Sequence, residues 1–164
     1  DEVKAGFVTM VAANYLKPKE SPDAWVVEVV NTMKMGDCDK LEKLLTSFFA
    51  SIPYSQRRKD DEREKERYFQ YTFYLVIRMI SSFTVLIEKE QSEGRVDCII
   101  ETPMFVYIFE FKRDGSATEA LKQIEEKGYA REYATDNRTI YLIGCNFSSK
   151  TGTIDDWKSK GKSV

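Results

Sequence analysis

Asp97, Glu110 and Lys112 are the residues of this chain whose types and spacing could do chemistry. They lie in Gly94 to Gly115, GRVDCIIETPMFVYIFEFKRDG, a stretch that reads as a β-hairpin. Two runs rich in β-branched and aromatic residues, Arg95 to Thr102 and Phe105 to Lys112, flank Pro103-Met104. Proline suits the second position of a tight turn and fits a sheet interior badly, so the chain should reverse there. With Thr102 paired to Phe105, pairing carried outward sets Asp97 opposite Glu110, their Cβ atoms about 4.5–5.5 Å apart. Like charges so placed destabilise a sheet. They become useful when a divalent cation sits between them, because Mg²⁺ takes one or two carboxylates together with phosphate oxygens and water. An ammonium two residues along the strand, Lys112, could orient or activate a water on that cation. The same three residues would also suit a solvated sheet face on which Lys112 bridges the two acids.

The elements that must position these groups follow from pattern. A period of two sends Asp97, Ile99, Glu101, Ile108, Glu110 and Lys112 to one face, and Val96, Cys98, Ile100, Tyr107, Phe109 and Phe111 to a core face. Phe83 to Glu90 reads as a strand before the hairpin, with Ser92-Glu93-Gly94 as the turn between them. After the hairpin, Ser116 and Glu119 form a capping box for a helix expected to run to about Tyr133. Gln123 and Tyr129 on that helix could approach the carboxylates, or could be ordinary partly exposed helix residues. Arg138 to Cys145 is an apolar strand that should lie centrally. Thr151 to Trp157 suits an edge strand, with Lys158, Lys160 and Lys162 in a basic tail expected to fray.

Upstream, residues 1–50 read as three helices. The first carries Val3, Phe7, Met10 and Val11 at helical spacing and ends at Lys17-Pro18. The second opens at Ser21-Pro22 and stops at Gly36. The third is capped by Asp37. Gln56 to Arg67 is a run of both charge signs, read as a solvated helix start. From Tyr68 to Ile80 the helix is apolar nearly all round and should be buried. Glu66, Gln70 and Phe73 share one of its faces, so Glu66 could supply a further carboxylate if that face meets the hairpin.

Composition narrows the function classes. With 164 residues the chain can bury a core without staples. A net charge of −2 gives no global basic signature of a nucleic-acid binder. Histidine is absent, which removes Ser-His-Asp and Cys-His catalysis, and a zinc cluster is not expected of three scattered cysteines. Free buried thiols in a reducing cytoplasm are the simplest reading of those cysteines. No apolar run reaches membrane-spanning length and no signal peptide is visible, so no membrane partner is expected. Gly161-Lys162-Ser163 imitates the end of a phosphate-binding loop, but the required earlier glycine is Asp156. The start at Asp1, without an initiator methionine, suggests a piece of a longer protein.

Helix, three antiparallel strands, helix, strand is the core order of the PD-(D/E)XK nuclease superfamily, and the sequence resembles one bacterial branch of it. In that branch a nuclease-like domain follows an AAA-ATPase-like domain. The resemblance rests on Gly36-Asp37, Phe48 to Tyr54, Glu66-Arg67-Tyr68-Phe69, Gly94-Arg95-Val96-Asp97, Tyr107 to Lys112, Asp114 to Ala117, Ala120 to Ile124, Lys127 to Ala130, and Leu142-Ile143-Gly144 with Asn146-Phe147. It implies a mixed-sheet α/β (α+β) fold with a restriction-endonuclease-like αβββαβ core and an N-terminal helical annex. The expected division is 1–55 for the annex, a remnant of the ATPase-like part, and 56–164 for the nuclease-like domain. By position the resemblance makes Asp97, Glu110, the Phe111 carbonyl and Glu66 the metal ligands, Lys112 the catalytic lysine and Gln123 an auxiliary residue. Val96 stands where the motif name has proline. Lys127, not tyrosine, stands four residues after Gln123, and Tyr129 comes two later. The implied function is Mg²⁺-dependent hydrolysis of phosphodiester bonds in nucleic acid, DNA for preference, with Mn²⁺ as a substitute. The implied partners are nucleic acid and the ATPase-like part. The alternative is a non-catalytic nuclease-fold module that binds nucleic acid or protein.

Overall fold

The turn at Thr102 sets the register of the sheet. The Thr102 N–H donates to the Phe105 carbonyl at 2.8 Å, and its hydroxyl accepts from the Phe105 N–H at 2.9 Å. A computed structural model describes residues 22–52, 72–78 and 83–162. In it, β1 (Thr84–Gln91), β2 (Gly94–Glu101) and β3 (Phe105–Arg113) form an antiparallel meander. Helix α4 (Ala117–Glu126) and a 3₁₀ helix (Tyr129–Tyr133) then cross over to β4 (Thr139–Ser148), which pairs parallel with β3. Strand β5 (Thr153–Lys162) closes the far edge, and the sheet order is β1-β2-β3-β4-β5. Parallel neighbours need such a crossover, and it leaves β3 and β4 covered on both faces.

One face is packed by α1 (Pro22–Met35), α2 (Cys38–Ser51) and the helical residues 72–78, here α3. Gly36, at φ 72, ends α1, and the Asp37 carboxylate accepts the Lys40 N–H at 2.9 Å to cap α2. Aromatic contacts knit this layer to the sheet: Phe49 to Phe147 at 5.0 Å between ring centroids, and Phe73 to Phe111 at 4.6 Å. The other face lies beneath α4 and the 3₁₀ helix, where Ile99, Ile108 and Leu142 meet Ile124 and Tyr133. Helix α4 sits directly on β4. A Cβ at Gly144 would fall 2.1 Å from the Ala117 carbonyl oxygen. The expected mixed-sheet α/β core, helix then three strands then helix then strand, is borne out. All three cysteines are buried and free. No helix among the described residues is long and apolar enough to cross a membrane.

Three sequence expectations need correction. Val96 does not share the Cys98 face but joins Ile99 and Ile108 beneath α4. The period of two breaks where the β1–β2 ladder lapses: between Ile87–Cys98 and Lys89–Val96 neither Glu88, at φ 50, nor Asp97 is paired, though the register is kept. Helix α4 stops at Glu126 rather than near Tyr133, because Gly128 adopts φ 62 and redirects the chain into the 3₁₀ turn. The lysines after Trp157 are not a frayed tail. They extend β5, with Lys158 donating to Thr118 at 2.6 Å and Lys160 to Glu125 at 2.5 Å on α4. The first predicted helix, Ser21, the Gln56–Arg67 charge run and Glu66 lie outside the described residues.

Candidate active site

The ladder between β2 and β3 ends at Cys98–Phe109, while β3 continues beside β4 as far as Arg113–Phe147. The strands therefore fork, and the first residues past the fork are Asp97 and Glu110. The Asp97 carboxylate reaches across it and accepts the Phe111 N–H at 2.9 Å. In a strand the N–H and C=O of one residue point to the same edge, so the Phe111 carbonyl is directed at the same fork. Glu110 is 3% exposed. Gln123 on α4 donates to one of its oxygens, and the other, Oε2, is buried without a hydrogen-bond partner.

Lys112 lies at the rim. Its ammonium donates to Gln123 Oε1 at 2.5 Å and stands 3.8 Å from Glu110. Gln123 thus spans the acid and the base, donating to one and accepting from the other. Gln123 is a partly exposed helix residue, as one reading had it, and it also reaches the carboxylate site; Glu110, being buried, does not lie on a solvated face. Tyr129 is buried too. Its hydroxyl donates to the Arg95 carbonyl at 2.8 Å beside Gln123.

Electrostatics mark the fork as strained. Burial first, and then the charge of Asp97, push Glu110 up to about 8, against the pull of Lys112. Burial also raises Asp97, opposed by the Phe111 N–H and by Lys112. A buried carboxylate oxygen with no partner, next to a second carboxylate, fits a divalent cation. Asp97, Glu110 and the Phe111 carbonyl could hold one. Among the described residues no group of three or more His, Cys, Asp or Glu side chains gathers as a metal cage, so any further ligands would be water, substrate or residues outside that set.

Two neighbours escaped sequence reasoning. Tyr74, on the helix that packs against Phe111, places a buried hydroxyl near Asp97 and Glu110; burial raises its pKa and the two acids add to the shift. Tyr74 is one of three tyrosines between residues 68 and 80, so its type alone did not single it out. Arg95 is exposed, 3.8 Å from Glu88, and its charge lowers Asp97. It lies two residues from the acid, a spacing too common to single it out.

Known proteins add an independent line. The chain is 31% identical over 155 residues to a protein of Azotobacter chroococcum mcd 1 described as "uncharacterized protein in vnfD 5′ region". That alignment covers 93% of this chain but 30% of the relative, so the chain spans under a third of the relative's length. A family model for the PD-(D/E)XK nuclease superfamily matches residues 64–157, a span that contains the whole fork, the crossover helix, β4 and the first half of β5. With more than half of its length matched, and the αβββαβ order in place, this chain belongs to the PD-(D/E)XK nuclease superfamily.

Proposed function

We propose that this chain is a divalent-metal-dependent nuclease domain that hydrolyses phosphodiester bonds of nucleic acid, DNA first among them. One observation carries the reading. Asp97 and Glu110 meet where β2 leaves β3, one Glu110 oxygen is buried without a partner, and the Lys112 ammonium stands 3.8 Å away. Asp97, Glu110 and the Phe111 carbonyl would hold the cation, with Glu66 as a further ligand carried by the motif resemblance. Mg²⁺ or Mn²⁺ bound there supplies Lewis acidity toward a phosphate oxygen and toward water. Lys112, held by Gln123, would orient the attacking water and stabilise charge growing on the phosphate. We extend the proposal to a cytoplasmic bacterial protein that carries an AAA-ATPase-like part, with residues 1–55 as a helical annex to the nuclease-like residues 56–164. The motif resemblance and the greater length of the relative support this.

Circular plasmid and circular single-stranded DNA, incubated in Mg²⁺, Mn²⁺ or EDTA, test the reading. Metal-dependent cleavage is expected, reduced at least about 100-fold in Lys112→Ala and in Asp97→Ala. Cleavage by folded Lys112→Ala at the wild-type rate would remove the lysine from the chemistry. If folded wild type leaves circular DNA, linear DNA and RNA intact in every metal, and so does the full-length protein, the domain is a binding module.

A further inference from the structure

The start of β2 is held unevenly. Its ladder to β3 begins only at Cys98, and its pairing to β1 passes from Lys89–Val96 to Ile87–Cys98 without including Asp97. Asp97 therefore sits on a stretch of strand with no β3 partner and with an irregular β1 partner, Glu88 at φ 50. Its side-chain bond to the Phe111 N–H fixes one oxygen but not the path of the backbone behind it. The β1 ladder resumes at Val96 and runs through Arg95 to Gly94, so on the side away from β1 a contact to this stretch bears directly on how Asp97 is presented.

Tyr129 is placed to do so. Gly128 turns the chain at the end of α4, and the ring of Tyr129 enters the layer under the sheet, 1% exposed. Its hydroxyl donates to the Arg95 carbonyl at 2.8 Å, two residues before Asp97. The approach is close, since a Cβ on Gly94 would stand 3.1 Å from that hydroxyl oxygen. The other end of the same crossover carries Gln123, bonded to both Glu110 and Lys112. The one crossover therefore touches β3 through Gln123 and the start of β2, which lacks a β3 partner, through Tyr129.

Building on the metal site proposed above, we propose that Tyr129 is a positioning residue: by holding the Arg95 carbonyl it sets Asp97 relative to Glu110, and so sets the grip of the fork on a divalent cation. A hydrogen bond that orients a ligand from behind typically changes metal affinity by about 10–100-fold when lost.

Tyr129→Phe keeps the buried ring and removes the hydroxyl, with its bond to the Arg95 carbonyl and its contact with Gln123. Tyr133→Phe is the matched control. It lies in the same 3₁₀ helix, is also buried, and donates its hydroxyl at 2.8 Å to Glu101, at the other end of β2. Thermal unfolding of the full chain in EDTA and across a Mn²⁺ titration is the readout, with the metal midpoint for DNA cleavage alongside. Both variants should lose a similar small amount of Tm in EDTA. Only Tyr129→Phe should need about tenfold more Mn²⁺ or above to reach half of its metal-induced shift. Gly94→Ala presses on the same contact from the strand and, with Gly94 at φ 155, also strains the turn before β2. Combined with Tyr129→Phe it should raise the midpoint no further than either change alone, and an additive rise would separate the two and overturn the proposal. A Tyr129→Phe midpoint within about twofold of wild type, or an equal rise in Tyr133→Phe, overturns the proposal. Wild type with no metal-induced shift overturns the metal site and this role together. A shifting wild type matched by Tyr129→Phe overturns the role of Tyr129 alone.

Discussion

With one oxygen on Gln123 and the other buried without a partner, Glu110 holds its proton up to about pH 8 in the folded protein. In the unfolded chain the same group titrates near its ordinary value, about 4.3. Between those two values the folded state binds the extra proton, so Glu110 contributes most to stability below pH 4 and that contribution is lost as pH rises toward 8. Glu110→Gln removes the titration. In EDTA it should match wild type near pH 5 and melt higher by about 2–4 °C or more near pH 8.5. A cation competes with the proton for the same oxygen, so the metal-induced Tm shift of wild type should grow from pH 6 to pH 9 and vanish in Glu110→Gln. Equal melting of the two proteins at pH 8.5 in EDTA would show that Glu110 is not strained by burial. A metal shift independent of pH would place the cation elsewhere.

At the scale of elements, the crossover helix depends on a missing side chain. Gly144 lets α4 rest backbone to backbone on β4, and a Cβ there would meet the Ala117 oxygen at 2.1 Å and the Leu121 nitrogen at 2.8 Å. Neither atom can swing away, so Gly144→Ala must lift α4 and carry Gln123 off Glu110 and Lys112. A loss of about 3 kcal/mol in denaturant melts, or failure to fold, is expected. Gly161→Ala is the contrast, because its Cβ would meet only the edge of the Tyr141 ring at 3.2 Å, and its cost should stay below about 1 kcal/mol. Equal stability of the two variants would mean that α4 is not seated through Gly144. The same elements show what the sequence could reveal. The register of β2 on β3 was legible because Thr102 and Phe105 lock the turn locally, and counting outward holds as far as Cys98–Phe109; the next pair expected, Asp97 with Glu110, is not in the ladder because the strands part there. Past the fork the counting failed at Val96, because the irregularity comes from Glu88 on another strand, and a glutamate at positive φ leaves no mark in composition. The lysine-rich end of β5 was illegible for a similar reason. Its strand character comes from register with β4 and from acceptors on α4, contacts that lie far along the chain. Gln123 was legible as a candidate from its place on the capped helix, and the resemblance gave it an auxiliary role. Its bridging of Glu110 and Lys112 needs the parallel crossover that brings α4 over β3.

Over the whole molecule, the helices before residue 53 and the strands after residue 83 share one core. Tyr107 on β3 donates to the Met33 carbonyl at 2.6 Å, Thr153 on β5 donates to the Thr46 carbonyl at 3.1 Å, and Phe49 packs on Phe147. Trp25 and Phe48 stack at 5.1 Å in the same layer. Each large apolar side chain taken fully out of water contributes about 1.5–3 kcal/mol. A domain of this size holds only about 5–15 kcal/mol in total. Stripping the α1–α2 layer uncovers Tyr107, Phe109, Cys145 and Phe147 at once, a loss comparable to that whole margin. The proposed parts, 1–55 and 56–164, are therefore expected to be separable in description but not in folding. A fragment covering 56–164 should be insoluble, or should expose apolar surface to a hydrophobic dye, show no cooperative melt and give no metal-induced shift. Adding residues 1–55 back as a separate chain should restore a cooperative transition, because the missing layer makes its contacts through side chains and a few carbonyls rather than through the sheet ladder. A fragment that melts cooperatively near the wild-type temperature would show instead that the sheet is stable without its helical cover, and that residues 1–55 are not needed for its folding.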